Sequence, residues 1–256
     1  MRNIIVTGGS RGIGAATCKK FLDAGDRVLI ISRTEPEYLN SGDWGERAVW
    51  CKCDVTDGAQ IDAVFDRLDS EFGGKIDVVV NNVGVQVAKT VDETTDEEWD
   101  WLTAINITAT FRFARQAIRR MRAAGKGSIV NIGSIAGDTS DYYLPLYSAS
   151  KGWVHSFTRA LATDHGKHGI RANAIGPTWT MTEMSQVFFD SEPDPAAARA
   201  GVTSRHPLGR LAEPDDIADA VIWMASDQSK YVNGQCLMVD GGMTVASSVN
   251  PDTDLG

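Results

Sequence analysis

The functions this chain can have are narrowed first by what it lacks. Positive charge is in deficit: 25 Lys and Arg stand against 34 Asp and Glu, for a formal net charge of −9. That balance speaks against nucleic acid or an anionic membrane as the main partner. No apolar run reaches the roughly 18 residues needed to cross a bilayer. Met1-Arg2-Asn3 leads directly into the short run Ile4-Ile5-Val6 and then into glycines, without the length or cleavage site of a secretory signal. A cytoplasmic location is therefore expected. Cysteine is sparse, at Cys18, Cys51, Cys53 and Cys236. No second Cys or His pair completes a zinc site with Cys51 and Cys53, and His155, His165, His168 and His206 are scattered. Reduced, structural thiols and no metal are the expectation. Also missing are any Pro/Gly/Ser-rich linker, composition break or short repeat, so residues 1–256 read as one domain.

What is present is an alternation. Short β-branched runs at 3–7, 27–31, 48–53, 76–81, 128–132, 171–175 and 235–239 are separated mostly by helix-patterned segments at 12–24, 57–72, 96–124, 147–165 and 214–225. Runs such as Val78-Val79-Val80 are apolar on both faces, as in a parallel sheet covered on both sides. The expected fold is α/β: a Rossmann-type, doubly wound, parallel seven-stranded sheet with helices on both faces. Two segments break the alternation. Residues 34–46 are polar and turn-rich; residues 177–210 start at Pro177 and carry Trp179, Met181, Met184, Phe188 and Phe189. The second, following the sixth strand, reads as a substrate-binding loop or lid. Arg199, Arg205 and His206 within it read as solvated loop charges.

The first strand runs into Thr7-Gly8-Gly9-Ser10-Arg11-Gly12-Ile13-Gly14 and then into a helix. Gly8 can take angles closed to other residues, Gly12 lets backbone approach a ligand, and Gly14 permits close helix–strand packing. The helix start presents free N–H groups and positive dipole to a pyrophosphate. The spacing Gly-x-x-x-Gly-x-Gly differs from the commonest dinucleotide fingerprint, and a plain tight turn is the alternative. At the end of the second strand, Ser32 and Arg33 stand where an acidic residue would bind a ribose 2′-hydroxyl. A guanidinium there suits a 2′-phosphate, with Arg11 as a second cation, so NADP(H) is favoured over NAD(H).

Tyr147 and Lys151 are spaced i, i+4 and share a helix face. A phenol with a reference pKa of roughly 10 needs a neighbouring ammonium to work as an acid/base at neutral pH. Ser134, just past the strand at 128–132, ends on the side where the cofactor binds; a capping role is its alternative. No Gly-x-Ser-x-Gly elbow supports a serine hydrolase.

These motifs, in order, resemble the short-chain dehydrogenase/reductase family over nearly the whole chain, in its 3-oxoacyl reductase and gluconate dehydrogenase-like branch. The resemblance rests on the glycine turn, Cys53-Asp54-Val55, Asn81-Asn82-Val83-Gly84, Asn106, Ser134, Tyr147–Lys151, Asn173-Ala174-Ile175-Gly176-Pro177 and Val239-Asp240-Gly241-Gly242. It implies a catalytic tetrad of Asn106, Ser134, Tyr147 and Lys151. Ser134 would orient the substrate oxygen, Tyr147 exchange its proton, Lys151 lower the Tyr147 pKa and hold the nicotinamide ribose, and Asn106 fix a water. It also implies that Asp54 and Val55 contact adenine, that Asn82 and Gly84 line the cleft, and that 175–178 with Thr182 bind the nicotinamide end. The family implies a homotetramer built partly on the helices carrying Asn106 and Tyr147. Val83 replaces the usual alanine and Thr178 the usual glycine. The expected function is NADP(H)-dependent interconversion of a small-molecule ketone and secondary alcohol. An NAD-dependent sugar or polyol dehydrogenase and a non-catalytic dinucleotide sensor are the rivals.

Overall fold

The computed structural model describes residues 1–246. Seven strands, β1 (Asn3–Thr7), β2 (Arg27–Ser32), β3 (Ala48–Lys52), β4 (Val78–Asn81), β5 (Gly127–Ile132), β6 (Ile170–Pro177) and β7 (Cys236–Val239), make one sheet. Every pairing is parallel and the order is β3-β2-β1-β4-β5-β6-β7. This is the expected doubly wound fold. The helices are α1 (Gly12–Asp23), α2 (Gly58–Phe72), α3 (Asp96–Thr103), α4 (Thr110–Ala124), α5 (Pro145–His165), α6 (Glu183–Ser191), α7 (Pro195–Ser204) and α8 (Pro214–Met224).

The two-residue period of a strand divides the sheet's side chains between two cores. Ile4, Val6, Val28, Ile30, Val78 and Val80 pack with residues of α1 and α8. Their neighbours Ile5, Leu29, Ile31 and Val79 pack with residues of α2, α4 and α5 on the opposite face. Both sets are fully buried or nearly so, which is why these runs read as continuously apolar. β1 pairs with β2 on one side and β4 on the other. The strand order thus reverses beside β1, at the carboxyl ends of β1 and β4 where sheets of this kind bind ligands.

Two segments differ from the expectation. The helical run at 96–124 is interrupted by a π-helical stretch, Ala104–Ala109, between α3 and α4. The reason is Asn106, whose side chain is bound to the backbone of Val85 while its carbonyl accepts from Thr110 Oγ1. Residues 177–210, expected as a loop or lid, are built around two helices, α6 and α7. Residues 34–46, read as turns, do form two 3₁₀ turns, the second running on to Arg47, and Tyr38 and Trp44 there pack edge to face on each other and against the α1-side core.

Candidate active site

The glycine turn fits an anion-binding cradle. Gly8 (φ +67°) and Gly12 (φ +53°) take left-handed backbone angles, and a Cβ on Gly14 would stand 2.1 Å from the Gly8 carbonyl oxygen. α1 then begins with no side-chain cap and no acidic residue in its first turn. Its first N–H groups are left for a ligand. The turn is fastened from below by β4. Asn82 Nδ2 donates to the carbonyls of Thr7 (2.9 Å) and Gly8 (3.2 Å), and Thr7 Oγ1 accepts from the backbone N–H of Asn82 and Val83. Ser10 and Ile13 are half-buried beside the turn.

At the end of β2, Ser32 Oγ donates to Thr34 O (2.7 Å) and accepts from Trp50 Nε1 (3.1 Å). Arg33 is exposed. Asp54 accepts from the N–H and hydroxyl of Thr56, and these bonds, with a smaller contribution from Arg33, hold its carboxyl below the usual range. Val55 is buried beside it.

Arg11, expected as a second phosphate cation, pairs with Glu183 at the start of α6, tying the glycine turn to the 177–210 segment. Thr182 reaches the same place: a Cβ on Gly12 would lie 3.2 Å from its methyl group. Thr178, following Pro177 at the end of β6, donates through its hydroxyl to His206 Nε2 (2.7 Å). His206 in turn donates from Nδ1 to Val202 O (2.9 Å). His206 is therefore a buried clamp between the end of β6 and the segment after it, not a solvated loop charge, and the hydroxyl that a glycine would lack is what engages it.

The four residues expected to form the tetrad come together at the carboxyl ends of β4 and β5. Lys151 Nζ is buried and donates to Ile132 O at 2.8 Å, 5.6 Å from the centre of the Tyr147 ring. Gly84 faces it: a Cβ there would lie 3.3 Å from Lys151 Nζ and 3.7 Å from Asn106 Oδ1. Asn106 donates to Val85 O (2.9 Å) and Ser150 Oγ (3.0 Å) and accepts from Val85 N (2.9 Å). Ser150 donates on to Tyr147 O (2.7 Å). Asn106 thus joins the π-helical stretch to the helix carrying Tyr147 and Lys151. Ser134 Oγ accepts from Ala136 N (3.1 Å), so its capping alternative is realised.

The electrostatics differ from expectation in one respect. Burial holds the Tyr147 phenol above its ordinary value, opposed by a hydrogen bond from Ser134. Burial likewise pushes the Lys151 ammonium down to about 8. Desolvation of the phenolate outweighs the stabilisation that the Ser134 hydroxyl gives it.

A family model described as enoyl-(acyl carrier protein) reductase matches residues 8–244. The chain is 36% identical over 247 residues to the cis-4-hydroxycyclohexanecarboxylate dehydrogenase of Sinomonas cyclohexanicum, covering 95% of this chain and 96% of that one. The chain belongs to the short-chain dehydrogenase/reductase family. Among solved structures, the ligand-free aldohexose dehydrogenase of Thermoplasma acidophilum superposes with a TM-score of 0.89 at 28% identity, covering 97% of this chain and 96% of that one. The 3-ketoacyl-(acyl-carrier-protein) reductase of Brucella melitensis complexed with NADH gives 0.87 at 29% identity, with 95% and 98% covered. As a short-chain dehydrogenase/reductase, the protein is a nicotinamide dinucleotide-dependent oxidoreductase of alcohol and carbonyl groups.

Of this family member's two departures, Val83 is absorbed by packing against the core on the α2/α4/α5 face, and Thr178 becomes the anchor for His206. Sequence reasoning passed over Thr7 and His155. The signal for His155 was available: it follows Lys151 by the same four residues that separate Lys151 from Tyr147.

Proposed function

We propose that the protein interconverts a small-molecule ketone and a secondary alcohol with NADP(H), using Tyr147 as general acid/base. The observation that carries the reading is the convergence of Tyr147, the buried Lys151 ammonium and Asn106 beside Ser134 at the carboxyl ends of β4 and β5. When bound, the nicotinamide dinucleotide supplies or accepts the hydride. Ser134 orients the substrate oxygen, and Tyr147, kept protonated by burial, donates its phenolic proton to that oxygen in reduction. Lys151 stabilises the phenolate that forms, and the nearby Asn106 holds the helix in register. The glycine turn, Asp54, Val55, Asn82, Gly84, Pro177, Thr178 and Thr182 would hold the dinucleotide. Ser32 and Arg33, in place of an acidic residue, favour a 2′-phosphate. Trp179, Phe188 and Phe189 form one aromatic cluster, with centroids 4.9 to 5.8 Å apart. With Met181 and Met184 it makes an apolar wall suited to a largely apolar ketone.

The family precedent supports a homotetramer in which each chain is a single dinucleotide-binding and catalytic domain with a substrate lid around 177–210. Free thiols at all four cysteines suit a reducing compartment such as the cytoplasm. The test is a panel of ketones and alcohols followed by NADPH absorbance. Tyr147→Phe abolishes turnover while NADPH affinity stays within about twofold; retained turnover rejects the mechanism. Arg33→Ala weakens NADP(H) by about tenfold, the scale of one lost charge-assisted contact, and spares NAD(H). Unchanged NADP(H) affinity rejects the cofactor assignment.

A further inference from the structure

His155 is the buried titratable group nearest this site for which the proposed mechanism has no use. It lies on α5, eight residues after Tyr147 and four after Lys151, so the three share a helix face. Its ring is cradled by the turn that follows β5. A Cβ on Gly133 would stand 2.3 Å from His155 Nε2, and one on Gly137 would stand 2.5 Å from Cε1. Between those glycines sits Ser134, whose backbone N–H donates to His155 Nε2 across a long 3.5 Å. An N–H can only donate, so Nε2 carries the lone pair and Nδ1 the proton. That proton points at Asp138 Oδ1, 3.0 Å away, at the far end of the same turn. Lys151 makes the companion contact, donating to Ile132 O two residues before Ser134.

We infer that His155, oriented by Asp138, is a positioning residue that holds the Ser134 turn in register with Tyr147. The inference rests on the proposed roles of Ser134 and Tyr147. One helix face then carries the proton donor, its ammonium and the support for the residue that orients the substrate oxygen. Their relative placement is set by one rigid element rather than by a free loop, which is the requirement for precise positioning.

His155→Asn keeps a donor toward Asp138 and loses the acceptor for Ser134; His155→Gln can return an acceptor near the Nε2 position. The measurements are hydrogen exchange across residues 133–138, NADPH affinity, and reduction of 4-oxocyclohexanecarboxylate, the ketone of the Sinomonas enzyme's named substrate. His155→Asn is expected to speed exchange across 133–138 about tenfold and to lower kcat/KM by about tenfold or more, as for loss of one buried hydrogen bond. NADPH affinity stays within twofold, and His155→Gln recovers most of both losses. Wild-type exchange and kcat/KM in a folded His155→Asn protein overturn the inference. So does an equal loss in both variants that tracks melting temperature, since His155 would then only fill space. Exchange alone decides if the wild type does not reduce this ketone: no acceleration overturns the inference. A Tyr147→Phe arm separates the two levels, because retained turnover there sinks the proton-transfer reading, whereas a silent His155→Asn beside an inactive Tyr147→Phe sinks only the positioning role.

Discussion

Lys151 shows at the level of one residue how function works against stability. Its ammonium is buried, makes a single protein hydrogen bond, to Ile132 O, and is held down to about 8 by desolvation. Between pH 8 and 10.5 the unfolded chain keeps a proton that the folded one has released, so this residue's contribution to stability improves as pH rises. Below pH 8 the penalty is constant. Lys151→Met should therefore abolish turnover and yet raise the melting temperature at pH 7 by a few degrees, about 1–2 kcal/mol after the lost hydrogen bond is offset. The gain should shrink toward zero near pH 10. Paired thermal melts at the two pH values check it; a gain that does not change with pH would place its origin outside the buried charge. Tyr147 is tuned the opposite way, since burial keeps its phenol protonated and so ready to donate.

Among the elements, the break between α3 and α4 carries the most consequence. Asn106 replaces regular helical bonding with a side-chain bridge to both backbone groups of Val85 and to Ser150 on the neighbouring α5. π-Helical stretches of this kind occur often at functional sites. Asn106→Ala strands the buried Val85 groups and should cost about 2–4 kcal/mol, the scale of two unsatisfied buried partners, with activity falling further than stability because the Tyr147 helix loses a tether. Urea midpoints and kcat from the same preparations test this; a loss under about 0.5 kcal/mol would mean that water or a shifted loop satisfies Val85 instead. The 177–210 segment is tied to the glycine turn by Arg11 and Glu183, to the loop before α5 by Arg205 and Asp141, and within itself, from the end of β6, by Thr178 and His206. The first two are exposed ion pairs of small energetic weight, so of these three contacts the buried His206–Thr178 one contributes most.

At the scale of the whole molecule, α4 and α5 present an aromatic strip that the fold leaves uncovered: exposed Phe111, with Arg115 over its ring, beside Phe157 and its stacked partner Trp153. Phe111→Glu should dissociate the proposed tetramer, read as a drop in mass by light scattering, with little change in secondary structure. An unchanged mass would move the interface elsewhere. The doubly wound parallel sheet, its two-sided core and the convergence of the glycine turn with the Tyr147 helix were all legible in the chain, whereas the strand order was read from the structure. β-Branched periodicity and an ordered set of motifs are local signals, and parallel α/β topology leaves few ways to assemble them. The amino-acid sequence by itself therefore determined the architecture, the family and which residues meet in the crevice. Only tertiary structure decided their partners. Arg11 came to pair with Glu183, His206 became a buried clamp, and His155 came to lie beneath the Ser134 turn, because these contacts join residues 21 to 172 positions apart. The upward displacement of Tyr147 was decided there as well, since desolvation depends on what surrounds a group in space and not on its neighbours along the chain.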